Sequence, residues 1–166
     1  KLKADKELLA MSDREFKAAI IRPPMAYGGG MAPGNMLRLI RLVNKHIPLP
    51  FGSARNSRDF INVKNLVEFI HLAVEKEVEG VFYPTDKVPY STRNVVSRQL
   101  GVHTINLPSP SIFLKLIEKV RPDLYQKLWG DVVIDRQLAL SAIGYEPRYT
   151  LEDGIREMVE SFKRQK

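Results

Sequence analysis

The run Ile20-Ile21-Arg22-Pro23-Pro24-Met25-Ala26-Tyr27-Gly28-Gly29-Gly30 constrains the fold of this chain more than any other stretch. An apolar segment from Ala18 meets two consecutive prolines, and proline has no N–H to give a sheet, so a strand over 18–23 is expected to end there. The glycines that follow permit backbone paths closed to other residues. Such a strand end is either an ordinary strand–loop junction, since loops also use Gly and Pro, or the mouth of a ligand site at the C-terminal end of a parallel strand.

The surrounding patterns alternate between helix and strand. Helical spacing is expected over 2–12, and over 35–46, where Met36, Ile40, Val43 and Ile47 recur. Lys64 to Glu75 should form a helix burying Leu66, Phe69, Ile70 and Ala73, with His71 read as a surface or core histidine and not a metal ligand. Short strands are expected from Arg58 to Val63 and from Gly80 to Pro84. Ser91 or Thr92 caps a helix ending at Gly101. Helices are also expected over 110–120, over 122–129 and from Asp135 to Ile143. Thr150 and Asp153 have capping-box spacing, ahead of a last helix that buries Leu151, Ile155, Met158, Val159 and Phe162. About four strands are thus available. No strand is followed by a G-x-G-x-x-G, G-x-x-G-x-x-G or Walker turn. These segments read as the second half of an α/β protein with a largely helical end.

With 166 residues the chain can bury a real core, and 44% hydrophobic with 27% charged residues fits a soluble globular protein. No apolar run approaches the ~20 residues of a membrane span, and the first residues do not resemble a signal peptide. Cysteine is absent, which removes disulfides and thiolate metal sites and fits a cytoplasmic, reducing setting. The net charge of +7 allows nucleic acid, a membrane surface or a phosphorylated small molecule as partner. Neither an RNP-like aromatic motif nor zinc-finger spacing accompanies it, so nucleic acid is not expected. Basic side chains gather at Arg38, Arg41 and Lys45, and again at Arg55 and Arg58, flanking the most motif-like part of the chain.

In order along the chain, several motifs resemble the extended short-chain dehydrogenase/reductase family, in its nucleotide-sugar epimerase, dehydratase and reductase branch. Lys1-Leu2-Lys3-Ala4-Asp5 is similar to the segment beginning at the lysine of the family's Y-x-x-x-K. Arg22-Pro23-Pro24-Met25-Ala26-Tyr27-Gly28 matches its R-P-P-x-x-Y-G motif, and Gly34-Asn35-Met36-Leu37 its N-L-x-x helix start. Leu49-Pro50-Phe51-Gly52 is similar to its base-binding strand. Arg58-Asp59-Phe60-Ile61-Asn62-Val63-Lys64-Asn65-Leu66 matches R-D-(aromatic)-x-x-V-x-(D/N)-(L/H). Ile143-Gly144-Tyr145-Glu146-Pro147 resembles the terminal L-G-(W/Y)-x-P.

The resemblance implies an α/β fold: the last strands of a Rossmann-type parallel sheet plus a mostly helical substrate-binding C-terminal region. It implies that residues 1–166 are one C-terminal portion of a longer enzyme, whose NAD-phosphate-binding half lies outside this chain and without which the chain is inactive. The implied reaction is NAD- or NADP-dependent hydride transfer at C4 of a UDP-sugar, as in a UDP-glucose or UDP-N-acetylhexosamine 4-epimerase of surface-polysaccharide synthesis. A 4-keto-sugar reductase, a dehydratase or a non-catalytic nucleotide-sugar-binding module are the alternatives, and a homodimer through family helices is the implied assembly. Lys1 is the implied catalytic and cofactor-binding lysine, lowering the pKa of a tyrosine four residues ahead of it. Pro23 and Pro24 lie beside the nicotinamide. Met25, Asn35, Met36, Leu49, Pro50, Phe51 and Arg58 are the implied substrate contacts, with Arg58 on the diphosphate. The chain departs from the family twice. Met25 stands where many relatives carry asparagine. Leu128 stands where the R-x-G-D stretch carries a second diphosphate arginine, for which Arg121 or Arg136 are the candidate substitutes.

Overall fold

The prolines do not end the sheet; they change its partner. A computed structural model describes residues 2–30, 34–45, 51–52, 54–99, 111–135 and 141–164. Strand β1 (Ala19–Ile21) runs parallel to β4 (Gly80–Phe82), with Ile20 opposite Val81. The last bond of this pair is Arg22 N–H to the Phe82 carbonyl at 2.8 Å. Pro23 and Pro24 then offer no donor, and the chain steps across to a second parallel pair. There β2 (Met25–Tyr27) lies beside β3 (Phe60–Asn62), with Ala26 opposite Ile61. The single strand expected over 18–23 is therefore two short ones separated by the prolines. Following β4, the buried Pro84 makes the same step, and Asp86 N–H bonds to the Phe60 carbonyl at 2.8 Å.

Helix α3 (Val63–Glu75) starts where β3 ends and carries the chain back to β4. Asn62 caps it, its side-chain oxygen accepting the Lys64 N–H. Phe69 and Ala73 are buried as expected, but Ile70 is exposed, and fully buried Asn65 takes its place on the inner face. The inner face of α3 is polar at that point because a hydrogen-bonded hub lies beneath it. His71 lies on the helix surface near Glu75.

Each sheet has its own core. Phe69, Ala73, Phe82, Ile143 and Tyr145 cluster under the first, with the Tyr145 ring edge-on to Phe69 at 5.1 Å. The second core gathers Tyr27, Phe60, Phe51 and Ala54 with three helices: α2 (Asn35–Asn44), α4 (Thr92–Gln99) and the C-terminal α7 (Leu151–Arg164). Helix α2 buries Met36, Leu37, Ile40 and Val43, a stripe at helical spacing; Ile47 lies outside the described residues. Ser91 caps α4, accepting the Asn94 N–H at 3.0 Å. The capping box at α7 forms: Thr150 Oγ1 accepts the Asp153 N–H, while Asp153 Oδ2 accepts the Thr150 N–H and hydroxyl. Leu151, Ile155 and Met158 are buried, with Val159 and Phe162 against the same core.

The remaining helices are α1 (Leu2–Ala10), tied to the proline junction by an Asp5–Arg22 ion pair, and the packed pair α5 (Ser111–Val120) and α6 (Pro122–Trp129). Of the helix expected from Asp135 to Ile143, residues 141–143 are helical and Asp135 is not; 136–140 lie outside the described residues. No described helix is long and apolar enough to cross a membrane, and no cluster of His, Asp and Glu among the described residues could hold a metal.

Candidate functional site

Met36 and Phe51 are buried in the second core, and Met25 packs against it. Met25 opens β2 directly after the prolines and packs, partly buried, against that core. Pro23 is exposed and Pro24 half-buried at the same strand junction. Asn35 is exposed at the first residue of α2, but it is not the cap. Gly34 occupies the cap position and has no side chain with which to cap the helix. The Met36 side chain is 3% exposed and faces the core. It can therefore offer a ligand only its backbone N–H. Phe51 is likewise buried, its ring 5.5 Å from Trp129. Lys1, Leu49 and Pro50 lie outside the described residues.

Arg58 forms no ion pair with its neighbour Asp59. Its backbone pairs with Tyr90 on one side and Val132 on the other. Its guanidinium donates through Nη1 to the carbonyls of Gly130 at 3.0 Å and Gln126 at 3.3 Å, the last turn of α6. A cation on the C-terminal carbonyls of a helix is electrostatically favoured. Burial holds the guanidinium below its ordinary pKa, while the Asp131 carboxylate opposes the shift. Nearby, Asn56 donates to the Gly130 carbonyl and to Thr92 Oγ1, and its own oxygen accepts the Thr92 N–H. The segment 56–58 thus joins the end of α6 to the start of α4.

Beneath this face lies a buried polar hub to which the sequence gives no role. Asp86, 2% exposed, accepts the Tyr27 hydroxyl on Oδ2 at 2.5 Å, and the Asn62 N–H and Asn65 Nδ2 on Oδ1 at 3.0 and 2.6 Å. Asn65 also donates to the Tyr149 carbonyl and accepts the amides of Arg148 and Tyr149. Burial raises the Asp86 carboxyl above the usual carboxylate range, against the lowering effect of its three donors. Burial and the Asp86 charge push the Tyr27 phenol far above its ordinary value. Tyr27 is thus held as a neutral hydrogen-bond donor, the opposite of what a tyrosine serving as a base needs. The signal for this hub was the asparagine pair, Asn62 and Asn65, within one strand-to-helix motif.

The Gly28–Gly30 turn has φ values of +93°, +68° and +70°, so its glycines are required by conformation. It is not an open phosphate cradle. Gly28 N–H points to the Met158 sulfur at 3.2 Å, and side chains added at the three positions would meet Asn62, Val63 and Ser161. A cleft of about 850 Å³ opens elsewhere, between α3 and residues 143–148, and shares no lining residue with the face described above.

Parallel strands joined through helices define an α/β chain of Rossmann type. Residues 1–83 match the NAD dependent epimerase/dehydratase family. The chain is 34% identical over 172 residues to the UDP-glucose 4-epimerase of Vibrio cholerae, an alignment covering 98% of this chain and 52% of that enzyme. The chain belongs to the NAD-dependent epimerase/dehydratase family. It spans about half the length of the curated relative it matches. Two solved structures show the same fold. One is the UDP-glucose 4-epimerase of Thermotoga maritima with UDP-glucose, at TM-score 0.71 and 18% identity, covering 99% of this chain and 52% of that one. The other is the dTDP-glucose 4,6-dehydratase of Bacillus anthracis with NAD, at TM-score 0.68 and 17% identity, covering 100% and 51%.

Proposed function

We propose that this chain forms the sugar-nucleotide side of an NAD- or NADP-dependent nucleotide-sugar epimerase of the UDP-glucose 4-epimerase type, serving surface-polysaccharide synthesis. The observation that carries this reading is the 34% identity to the Vibrio cholerae epimerase across 98% of the chain. The local geometry supports it. In this reading the first amides of α2, beside exposed Asn35 and including that of Met36, face a phosphate. Arg58 supplies the fixed cation, and Phe51 with Leu49 and Pro50 walls the base. Met25 contributes only apolar contact, since a thioether is a weak acceptor and no donor.

The described residues fit one end of the dinucleotide. Pro23 and Pro24 offer an apolar face to a flat nicotinamide, whereas the glycine turn is filled by its own neighbours and leaves no cradle for a pyrophosphate. When bound, the nicotinamide would take up and return the C4 hydride. Lys1 would hold a positive charge beside a tyrosine four residues ahead of it and so favour the phenolate. The strand-end residues would orient the sugar and keep water from C4.

Calorimetry on the 166-residue chain tests this reading. UDP binds and NAD does not, and incubation with both UDP-glucose and NAD gives no epimer. Arg58→Lys keeps the charge but loses the planar fork, and weakens UDP binding about tenfold, ~1.4 kcal/mol. Absence of UDP binding by the unaltered chain would refute the proposal.

A further inference from the structure

Helix α3 carries a second apolar stripe, outside its buried face. Val63, Val67, Ile70 and Val74 recur at spacings of four, three and four residues, the a/d repeat of a coiled-coil seam. The residues that α3 buries against the fold are others: Asn65, Phe69 and Ala73. Val63 is half-buried, and Val67, Ile70 and Val74 are 61%, 42% and 72% exposed. Exposed apolar side chains scattered singly are ordinary, whereas a continuous row of them marks an interaction surface. The exposed leucines of α1 form no such row, since Leu2 and Leu8 lie about 120° apart around that helix.

The charges beside the row say what fits it. Lys64, at the start of α3, and Glu75, at its end, stand on the same flank of the seam, and both are exposed. A second α3 laid antiparallel about a two-fold axis sets Val63 opposite Val74 and Val67 opposite Ile70, each pairing occurring twice. It also brings Lys64 of one copy to about the level of Glu75 of the other, whereas a parallel pair sets lysine beside lysine and glutamate beside glutamate. The Lys64 ammonium bonds Glu157 at 2.9 Å and has further hydrogens to give. The face is therefore complementary to itself in one orientation. We propose that the Val63–Val74 face of α3 is a docking surface for a second copy of this chain, packed antiparallel about a two-fold axis. The seam is shorter than two heptads, so the association is weak and depends on concentration.

Sedimentation equilibrium of the 166-residue chain, carried up to about 1 mM, shows a monomer–dimer equilibrium. The double variant Val67→Glu, Val74→Glu raises the dissociation constant about tenfold or more and leaves the thermal midpoint unchanged, both side chains being exposed. The double variant Leu2→Glu, Leu8→Glu leaves the dissociation constant unchanged. The chain has no cysteine, so single cysteines report the orientation. In a glutathione buffer, Val63→Cys chains mixed with Val74→Cys chains give mixed disulfide dimers in excess over Val74→Cys homodimers. In the antiparallel pair the two copies of position 74 lie about 16 Å apart, too far to bridge. A chain monomeric to about 1 mM overturns the proposal. So does a dimer that survives Val67→Glu, Val74→Glu or is abolished by Leu2→Glu, Leu8→Glu. An excess of Val74→Cys homodimers overturns it as well, being the mark of a parallel pair. Where Val67→Glu, Val74→Glu lowers the thermal midpoint, the cysteine mixture decides.

Discussion

Gly154 in α7 is the point of closest approach in the second core. A Cβ added there would lie 2.5 Å from Tyr27 Cε2, 3.0 Å from Tyr27 Cδ2 and 2.6 Å from Asn62 Nδ2. Ordinary carbon contacts are ~3.5–4.0 Å, so something must move by about 1 Å. The Tyr27 ring is poorly placed to move. Its hydroxyl is anchored on Asp86 at 2.5 Å, and its ring sits edge-on to Phe60 at 6.3 Å. Asn62 is fixed by its strand and by its cap on α3. Overpacking of this kind costs ~1–3 kcal/mol, and pulling the hydroxyl off a buried carboxylate a further ~1–3 kcal/mol. Alanine's helix preference over glycine returns ~1 kcal/mol. Gly154→Ala therefore destabilises by about 3 kcal/mol. For a chain of this size that lowers the thermal midpoint by about 6–12 °C, read by circular dichroism at 222 nm. A midpoint equal to or above that of the unaltered chain would refute the reasoning, since it would mean that α7 can slide and that propensity alone governs the position.

Two further substitutions probe the hub. Asp86→Asn keeps an oxygen for Asn62 and Asn65 and turns an amide toward the Tyr27 oxygen. Burial raises the folded carboxyl above its unfolded value near 3.8, so the unfolded chain ionises first as pH rises. The stability Asp86 contributes is present in full below that value and falls as pH climbs through the raised one. The thermal midpoint of Asp86→Asn relative to the unaltered chain should therefore rise between pH 4 and 7; a flat or falling difference contradicts the sign. Asn65→Leu removes the side-chain bonds to Asp86 and to residues 148–149 while filling the space. It should cost about 2–4 kcal/mol in urea unfolding and speed hydrogen exchange at the Arg148 and Tyr149 amides, with unchanged exchange counting against the hub.

Much of the fold was legible because it is written in periodicity. The stripe of Met36, Ile40 and Val43 and the Thr150–Asp153 cap depend on local rules, and their elements fall within a few residues of expectation. Two features were hidden because they depend on pairing. Proline's missing N–H says that hydrogen bonding to one neighbour stops; it does not say that another strand, β3, waits beyond it. Ile70 fits an apolar helix face by spacing, yet Asn65 takes the buried side because Asp86, distant in sequence, supplies its partner. The site was legible only as motifs. Arg58 read as a phosphate ligand, but its grip on the end of α6 arises from residues near 130 folding back on it.

The segment Arg58 to Asn65 explains why one short motif governs both halves of the site. Its residues diverge. Arg58 reaches outward to the carbonyls that flank Trp129. Asp59 turns the other way, its Oδ2 accepting the Ile134 N–H at 2.7 Å. Asn62 closes β3, caps α3 and gives its amide to Asp86. Asn65 fastens the approach to α7 through Arg148 and Tyr149. Because β3 lies against β2, each of these bonds is referred to the strand that begins at Met25, directly beyond the proline pair. The proline step sets where β2 begins, and the Arg58–Asn65 motif ties the end of α6 and the start of α3 to its partner strand.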